Sequence, residues 1–144
     1  MTTARDIMHP GAECIGADET LLDASRRMRD LDVGSLPICG EDGKLHGIIT
    51  DRDIVVRCCA EGRDPAQVKA GAFADEDLHC VTASDDGDAV VRTMARHQIR
   101  RVPVLDGEEL VGMISEADLA QHLSDDKLAE FVESVYKPTH AAHT

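Results

Sequence analysis

Two seven-residue stretches carry residue types that could do chemistry, Gly47-Ile48-Ile49-Thr50-Asp51-Arg52-Asp53 and Gly112-Met113-Ile114-Ser115-Glu116-Ala117-Asp118. Each has a glycine, two apolar residues, a hydroxyl residue and, three places later, an aspartate. The pattern belongs where a strand ends and a helix begins. Gly47 and Gly112 have no Cβ, so backbone there could approach a ligand closely. The Thr50 and Ser115 hydroxyls would stand beside free helix N–H groups, where phosphate binds well. Asp53 and Asp118, one turn on, could accept hydrogen bonds from both hydroxyls of a ribose. The same spacing is also a helix capping box, a Ser or Thr answered by an acid three residues later. Capping alone would explain Thr50 with Asp53 and Ser115 with Asp118, and spacing does not separate the two readings.

The elements that must position these residues come from an internal duplication. Leu36-Pro37-Ile38 recurs as Val102-Pro103-Val104 at an interval of 66, which Met28 and Met94 share, as do Cys14 and Cys80. Leu45–Thr50 recurs as Leu110–Ser115 at an interval of 65, so the second copy has lost one residue in its Gly-bearing turn. Turns tolerate such changes. Each copy predicts a short strand, at Cys14-Ile15 or Cys80-Val81, then a helix opened by acids, Asp18-Glu19 or Ser84-Asp85-Asp86. Leu21, Ala24, Met28 and Leu31 recur every three or four residues and predict one buried face, as do Val90, Val91, Met94 and Ala95. Hairpins follow, Ser35–Cys39 with Leu45–Ile49 and Arg101–Leu105 with Glu109–Ile114. Pro37 and Pro103 are expected at an edge or a strand start. Second helices are expected near Asp51–Ala60 and Glu116–Leu123.

The resulting organisation is repeat 1 over residues 1–62 and repeat 2 over 63–123, with a connector at 61–77. A C-terminal amphipathic helix over 124–138 would start at Ser124 and Asp125. It would line one face with Leu128, Phe131, Val132, Val135 and Tyr136 and stop at Pro138, leaving 139–144 as a tail. One repeat of about 60 residues buries too little surface to stand comfortably alone. The two are therefore expected to pack their sheets together as one globular domain with symmetric clefts.

Composition narrows the function. With 28 acids against 15 bases the formal charge is −13, the wrong sign for gripping a phosphate backbone, so nucleic acid is not an expected partner. There is no Trp, one Tyr and two Phe, so the core must be aliphatic. No apolar run approaches a membrane span, and the acidic residues around the Leu128–Tyr136 face argue against a membrane-surface helix. The opening residues lack an apolar signal core, so a cytoplasmic location is expected.

The alternation of Pro-centred strands with the G-h-h-[ST]-x-x-D motif, twice, resembles a tandem pair of CBS domains, and the resemblance runs from about Ala4 to Leu123. It implies an α/β (α+β) fold of two βαββα repeats packed with pseudo-two-fold symmetry, plus the C-terminal helix, and a homodimer of such pairs. It also implies an adenosyl ligand, AMP, ADP, ATP or S-adenosylmethionine, bound in inter-repeat clefts as a regulatory adenine nucleotide rather than a cofactor. Carried onto this chain, the ribose falls to Asp53 and Asp118 and the phosphate side to Thr50 and Ser115. Gly47, Gly112 and Arg52 stand in the same motifs. Arg100 and Arg101 are candidates for phosphate charge, whereas Gly34 and Ser35 take their places in the first copy. The function expected is a stand-alone sensor that signals to an unidentified protein partner, in a stress response.

Other clusters carry less. Cys14 and Cys39 would end neighbouring strands and could form a disulfide, which Cys80 with Leu105 cannot repeat. A thiol or metal switch at Cys14 and Cys39, or a ligand-free dimeric interaction or stress-response scaffold, are the alternatives to a sensor. The seven histidines are scattered and show no CxxC, HExxH or closed set of four ligands, so no metal site is expected. No nucleophile elbow, Walker loop or dinucleotide fingerprint occurs, so enzyme activity is not expected.

Overall fold

The computed structural model describes residues 2–74 and 78–136. The chain forms two compact units, each with its own core. The Asp53 unit comprises residues 12–74, 78 and 108–110, and the Asp118 unit residues 2–11, 79–107 and 111–136.

In the Asp53 unit, β2 (Ile15–Gly16) runs parallel to β3 (Ser35–Cys39), which is antiparallel to β4 (Leu45–Thr50), in the order β2-β3-β4. Between them α2 (Leu21–Leu31) opens on a capping box. The Asp23 N–H donates to Thr20 Oγ1 at 3.1 Å, and the Thr20 N–H donates to Asp23 Oδ2 at 3.0 Å. Leu21, Ala24 and Met28 are buried, but Leu31 is 41% exposed, contrary to the face the periodicity predicts. Leu31 is the last helical residue before Asp32, whose φ of 56° turns the chain out of the helix. Cys14 and Cys39 are joined by a disulfide with Cα atoms 5.7 Å apart.

The stretch 61–77, expected as a connector, is partly core. Val68, Ala70 and Phe73 are buried with Ile15, Leu36 and Ile49, and Ala70–Phe73 forms a 3-10 turn. The helix expected over Asp51–Ala60 divides into α3 (Asp51–Ile54) and a π-helical turn over Val55–Cys59.

The Asp118 unit begins with α1 (Ala4–Ile7) and β1 (His9–Pro10). It continues with β5 (Val81–Thr82), α4 (Gly87–His97), β6 (Arg101–Asp106), β7 (Glu109–Ser115), α5 (Glu116–His122) and α6 (Asp125–Val135). Its sheet runs β1-β7-β6-β5. Ala4 and Ile7 are buried among Val81, Val90, Val104 and Ile114, so the N-terminal residues complete the core around the second copy. The sequence borders follow the repeat, whereas the packing exchanges the leading segments. In α4, Val90 and Met94 are fully buried. In α6, Phe131 and Val135 are buried, but Val132 is 42% and Tyr136 52% exposed, so the buried stripe is narrower than the face expected. Pro138 and the tail 139–144 lie outside the described residues.

Both prolines sit inside strands rather than at their starts. Strand β2 pairs only with Ile38 and Cys39, and β5 only with Val104 and Leu105. At Pro37 and Pro103 these short partners have not yet begun, so each proline meets a local edge within a central strand.

Candidate functional site

The two motif acids stand at the first turns of α3 and α5, and both fold back to cap their own helix. Thr50 N–H donates to Asp53 Oδ2 at 3.0 Å, and Asp53 N–H donates to Thr50 Oγ1 at 3.1 Å. Ser115 repeats the arrangement, its N–H donating to Asp118 Oδ2 at 2.8 Å and its hydroxyl at 3.0 Å. The capping box is thus real in both copies. It engages one oxygen of each carboxylate and leaves the other for something else.

What that other oxygen meets differs between the copies. Asp53 Oδ1 has the Arg57 Nη1 at 3.9 Å, and its side chain is 25% exposed. The Arg57 guanidinium lies 4.6 Å from the centre of the Phe73 ring, a cation–π contact that places positive charge beside the motif. Asp118 Oδ1 has His9 Nε2 at 3.0 Å, and its side chain is only 3% exposed. The Asp118 backbone oxygen, in turn, lies 2.9 Å from His122 Nδ1.

The glycines serve close backbone approach within the chain. Gly112 in β7 faces Pro10 in β1, and a Cβ there would lie 2.5 Å from the His9 carbonyl oxygen and 2.6 Å from the Met8 sulfur. Gly47 in β4 bridges to Ala74. In both units the segment laid on the motif glycine precedes a repeat in sequence.

Arg52 is exposed, and its N–H donates to Asp51 Oδ1 at 2.8 Å. Arg100 is exposed with its guanidinium 5.7 Å from the Tyr136 ring centre, and Arg101 is half-buried at the start of β6. Sequence reading missed His9 and Arg57. Thr3-Ala4-Arg5-Asp6 is itself a capping box, so the helix that leads to His9 had a local signal. Nothing local announces that His9 meets Asp118.

Carboxylates elsewhere are held ionised. The Arg27 guanidinium, with the Gly16 N–H, keeps Glu19 below the usual carboxylate range, and the Thr20 backbone N–H does the same for Asp23. In the Asp118 unit the Thr3 N–H lowers Asp6. Desolvation raises the Cys58 and Cys80 thiols, which keeps both protonated and poorly nucleophilic. His79 and His97 stack with ring centres 3.5 Å apart. Among the described residues no three His, Cys, Asp or Glu side chains gather to hold a metal ion, and no helix is long and apolar enough to cross a membrane. His140 and His143 lie outside the described residues.

The CBS domain family model matches residues 4–58 and 70–125. Hypoxic response protein 1 of Mycobacterium tuberculosis is 46% identical over 138 residues, covering 96% of this chain and 96% of that protein. The crystal structure of Hypoxic Response Protein I, which has two coordinated zinc ions, superposes with a TM-score of 0.78 at 48% identity, covering 85% of this chain and all of that one. CBSX2, solved in complex with AMP, shares the fold at a TM-score of 0.71 and 18% identity, over 84% of this chain and 95% of that one. The chain therefore belongs to the CBS-domain family and carries two of its domains in tandem.

Proposed function

We propose that this chain is a regulatory module that takes an adenosyl ligand through the ribose at Asp53 and signals its presence to a protein partner. One observation carries the reading. Asp53 caps α3 through Oδ2, while its side chain stays 25% exposed with Oδ1 3.9 Å from Arg57 Nη1. A carboxylate so placed can accept from a ribose hydroxyl without giving up its cap. The Thr50 hydroxyl and the nearby guanidinium suit the phosphate side of a nucleotide. Support by likeness comes from CBSX2, a protein of this fold that binds AMP. The likeness to Hypoxic response protein 1 supports a role in the response to low oxygen or related stress. Ligand binding shifts a conformational equilibrium only by its difference in affinity for the two states, so the signal is bounded by that difference.

The chain is proposed to act as a cytoplasmic homodimer. Val55 and Val56 are 59% and 42% exposed at the π-helical turn, apolar surface that suits association. No catalytic step is assigned. The zinc ions are those of the relative's structure.

A thermal-shift screen against AMP, ADP, ATP and S-adenosylmethionine tests the reading. A ligand at 100 times its Kd should stabilise by about 2.7 kcal/mol. In Asp53→Asn one carbonyl oxygen can still accept the cap hydrogen bond, but the second acceptor becomes a donor. That variant should lose the shift while its own melting temperature stays near wild type. A shift retained in full by Asp53→Asn would refute the site.

A second reading is favoured by the Cys14–Cys39 disulfide, a bond uncommon in reducing compartments. As a thiol switch, protein isolated without reductant should gain about 2 Da on reduction. An unchanged mass, with both thiols free beforehand, would dismiss it.

A further inference from the structure

The second motif acid is already occupied by the chain itself. Strand β1 is two residues long and lies antiparallel on β7, His9 opposite Met113 and Pro10 opposite Gly112. It closes this tightly because residue 112 has no Cβ, the place where one would stand being 2.5 Å from the His9 carbonyl oxygen. The approach carries the His9 ring to the start of α5, with Nε2 3.0 Å from Asp118 Oδ1. Ser115 already donates twice to Oδ2. Both oxygens of Asp118 are then engaged, and the residue is 2% exposed. Two ribose hydroxyls would have no room to reach it. The His9 side chain, 71% exposed, covers the acid from the solvent side.

Among the described residues, the segment that meets the motif glycine of the other copy brings no such donor. Ala74 bridges to Gly47, and neither it nor the preceding Phe73 has a side-chain N–H or O–H to give. The Asp53 and Asp118 side chains differ accordingly, 25% against 3% exposed.

We propose that His9 is a specificity-determining residue that occupies the ribose position on Asp118, so that each chain accepts an adenosine ribose at Asp53 alone. Asp118 becomes available only when residues 8–10 lift from β7. The proposal rests on the adenosyl reading above and adds to it a count of sites. It also separates two roles that one motif would otherwise share, ligand binding at Asp53 and an internal lock at Asp118.

Calorimetric titration with AMP tests it on the full chain. Wild type should bind one AMP per chain. His9→Ala should bind two, and the second should vanish in His9→Ala combined with Asp118→Asn. His9→Gln, whose amide can still donate to Asp118, should stay at one. Because His9 is exposed, these variants should keep the wild-type circular dichroism, with a melting temperature lowered only by the loss of the His9–Asp118 contact. Two sites in wild type, or one site in a folded His9→Ala chain, would overturn the lock and leave the Asp53 reading intact. No heat from AMP in either wild type or His9→Ala would overturn the adenosyl reading and the lock with it.

Discussion

Asp53 and Asp118 hold the same place in the repeat and cap the same kind of helix, yet one carboxylate is partly exposed and the other is sealed. The difference does not come from the motif. It accompanies the segment that meets each motif glycine, Ala74 at Gly47 and Met8-His9-Pro10 at Gly112. A repeated motif fixes where a side chain sits and which helix it caps. On the proposed lock, the segment in front of it decides whether that side chain remains open to a ligand. The two units also differ in how they are held together. The Asp53 unit has a disulfide between Cys14 and Cys39, whereas Cys80, the counterpart of Cys14, is a free thiol.

The largest expected effect exploits that second difference. The disulfide closes a sequence separation of 25 residues, so its loss in Cys39→Ser should cost about 2–4 kcal/mol in chemical unfolding. Hydrogen exchange should quicken in β2, β3 and β4 while β5, β6 and β7 keep their protection. Equal quickening in both units would mean that the bond supports the chain as a whole.

Next in size is the glycine that admits β1. Gly112→Ala places a methyl against the His9 carbonyl and Met8, and overpacking of this kind costs about 1–3 kcal/mol. The strain should be relieved by detaching β1, so this variant should also raise AMP stoichiometry. A stable Gly112→Ala chain still binding one AMP would show that β1 does not govern access.

The capping acids should separate by a smaller margin. Asp53→Ala removes a cap and should cost about 1 kcal/mol. Asp118→Ala removes a cap and the buried partner of His9, and should cost about 2 kcal/mol, since hydrogen bonds to charged groups are the stronger ones. Equal losses by urea unfolding would deny that the buried contact matters.

The smallest effect concerns pH. Asp6 in one unit, with Glu19 and Asp23 in the other, have folded-state pKa values below their ordinary ones. Their contribution is complete above the unfolded carboxylate range, about pH 4, and is lost as pH falls through the lowered folded values. Stability should therefore decline below about pH 4, and Glu19→Gln should flatten part of that decline. A decline equally steep in Glu19→Gln would remove Glu19 from the account.

Much of this architecture was legible in the residues. The duplication and hairpins follow from intervals and turn residues, and α2 and α4 from apolar spacing, because those signals are local. The π-helical turn at Val55–Cys59 was not legible, since its residues continue the apolar pattern of an ordinary helix. The buried roles of Ala4, Ile7, Val68 and Phe73 escaped because the packing joins each leading segment to a different core from the one its place in the repeat suggests. For the site, the motif located both acids and posed capping against binding. It could not say which acid is open, because His9 stands 109 residues from Asp118. That contact depends on tertiary packing and leaves no trace in local spacing.

The most direct test of the central claim is an equilibrium AMP titration of Asp53→Asn beside Asp118→Asn. AMP affinity should fall at least tenfold in Asp53→Asn, about 1.4 kcal/mol, and stay within twofold of wild type in Asp118→Asn. Loss of binding in Asp118→Asn with affinity kept in Asp53→Asn would contradict the account.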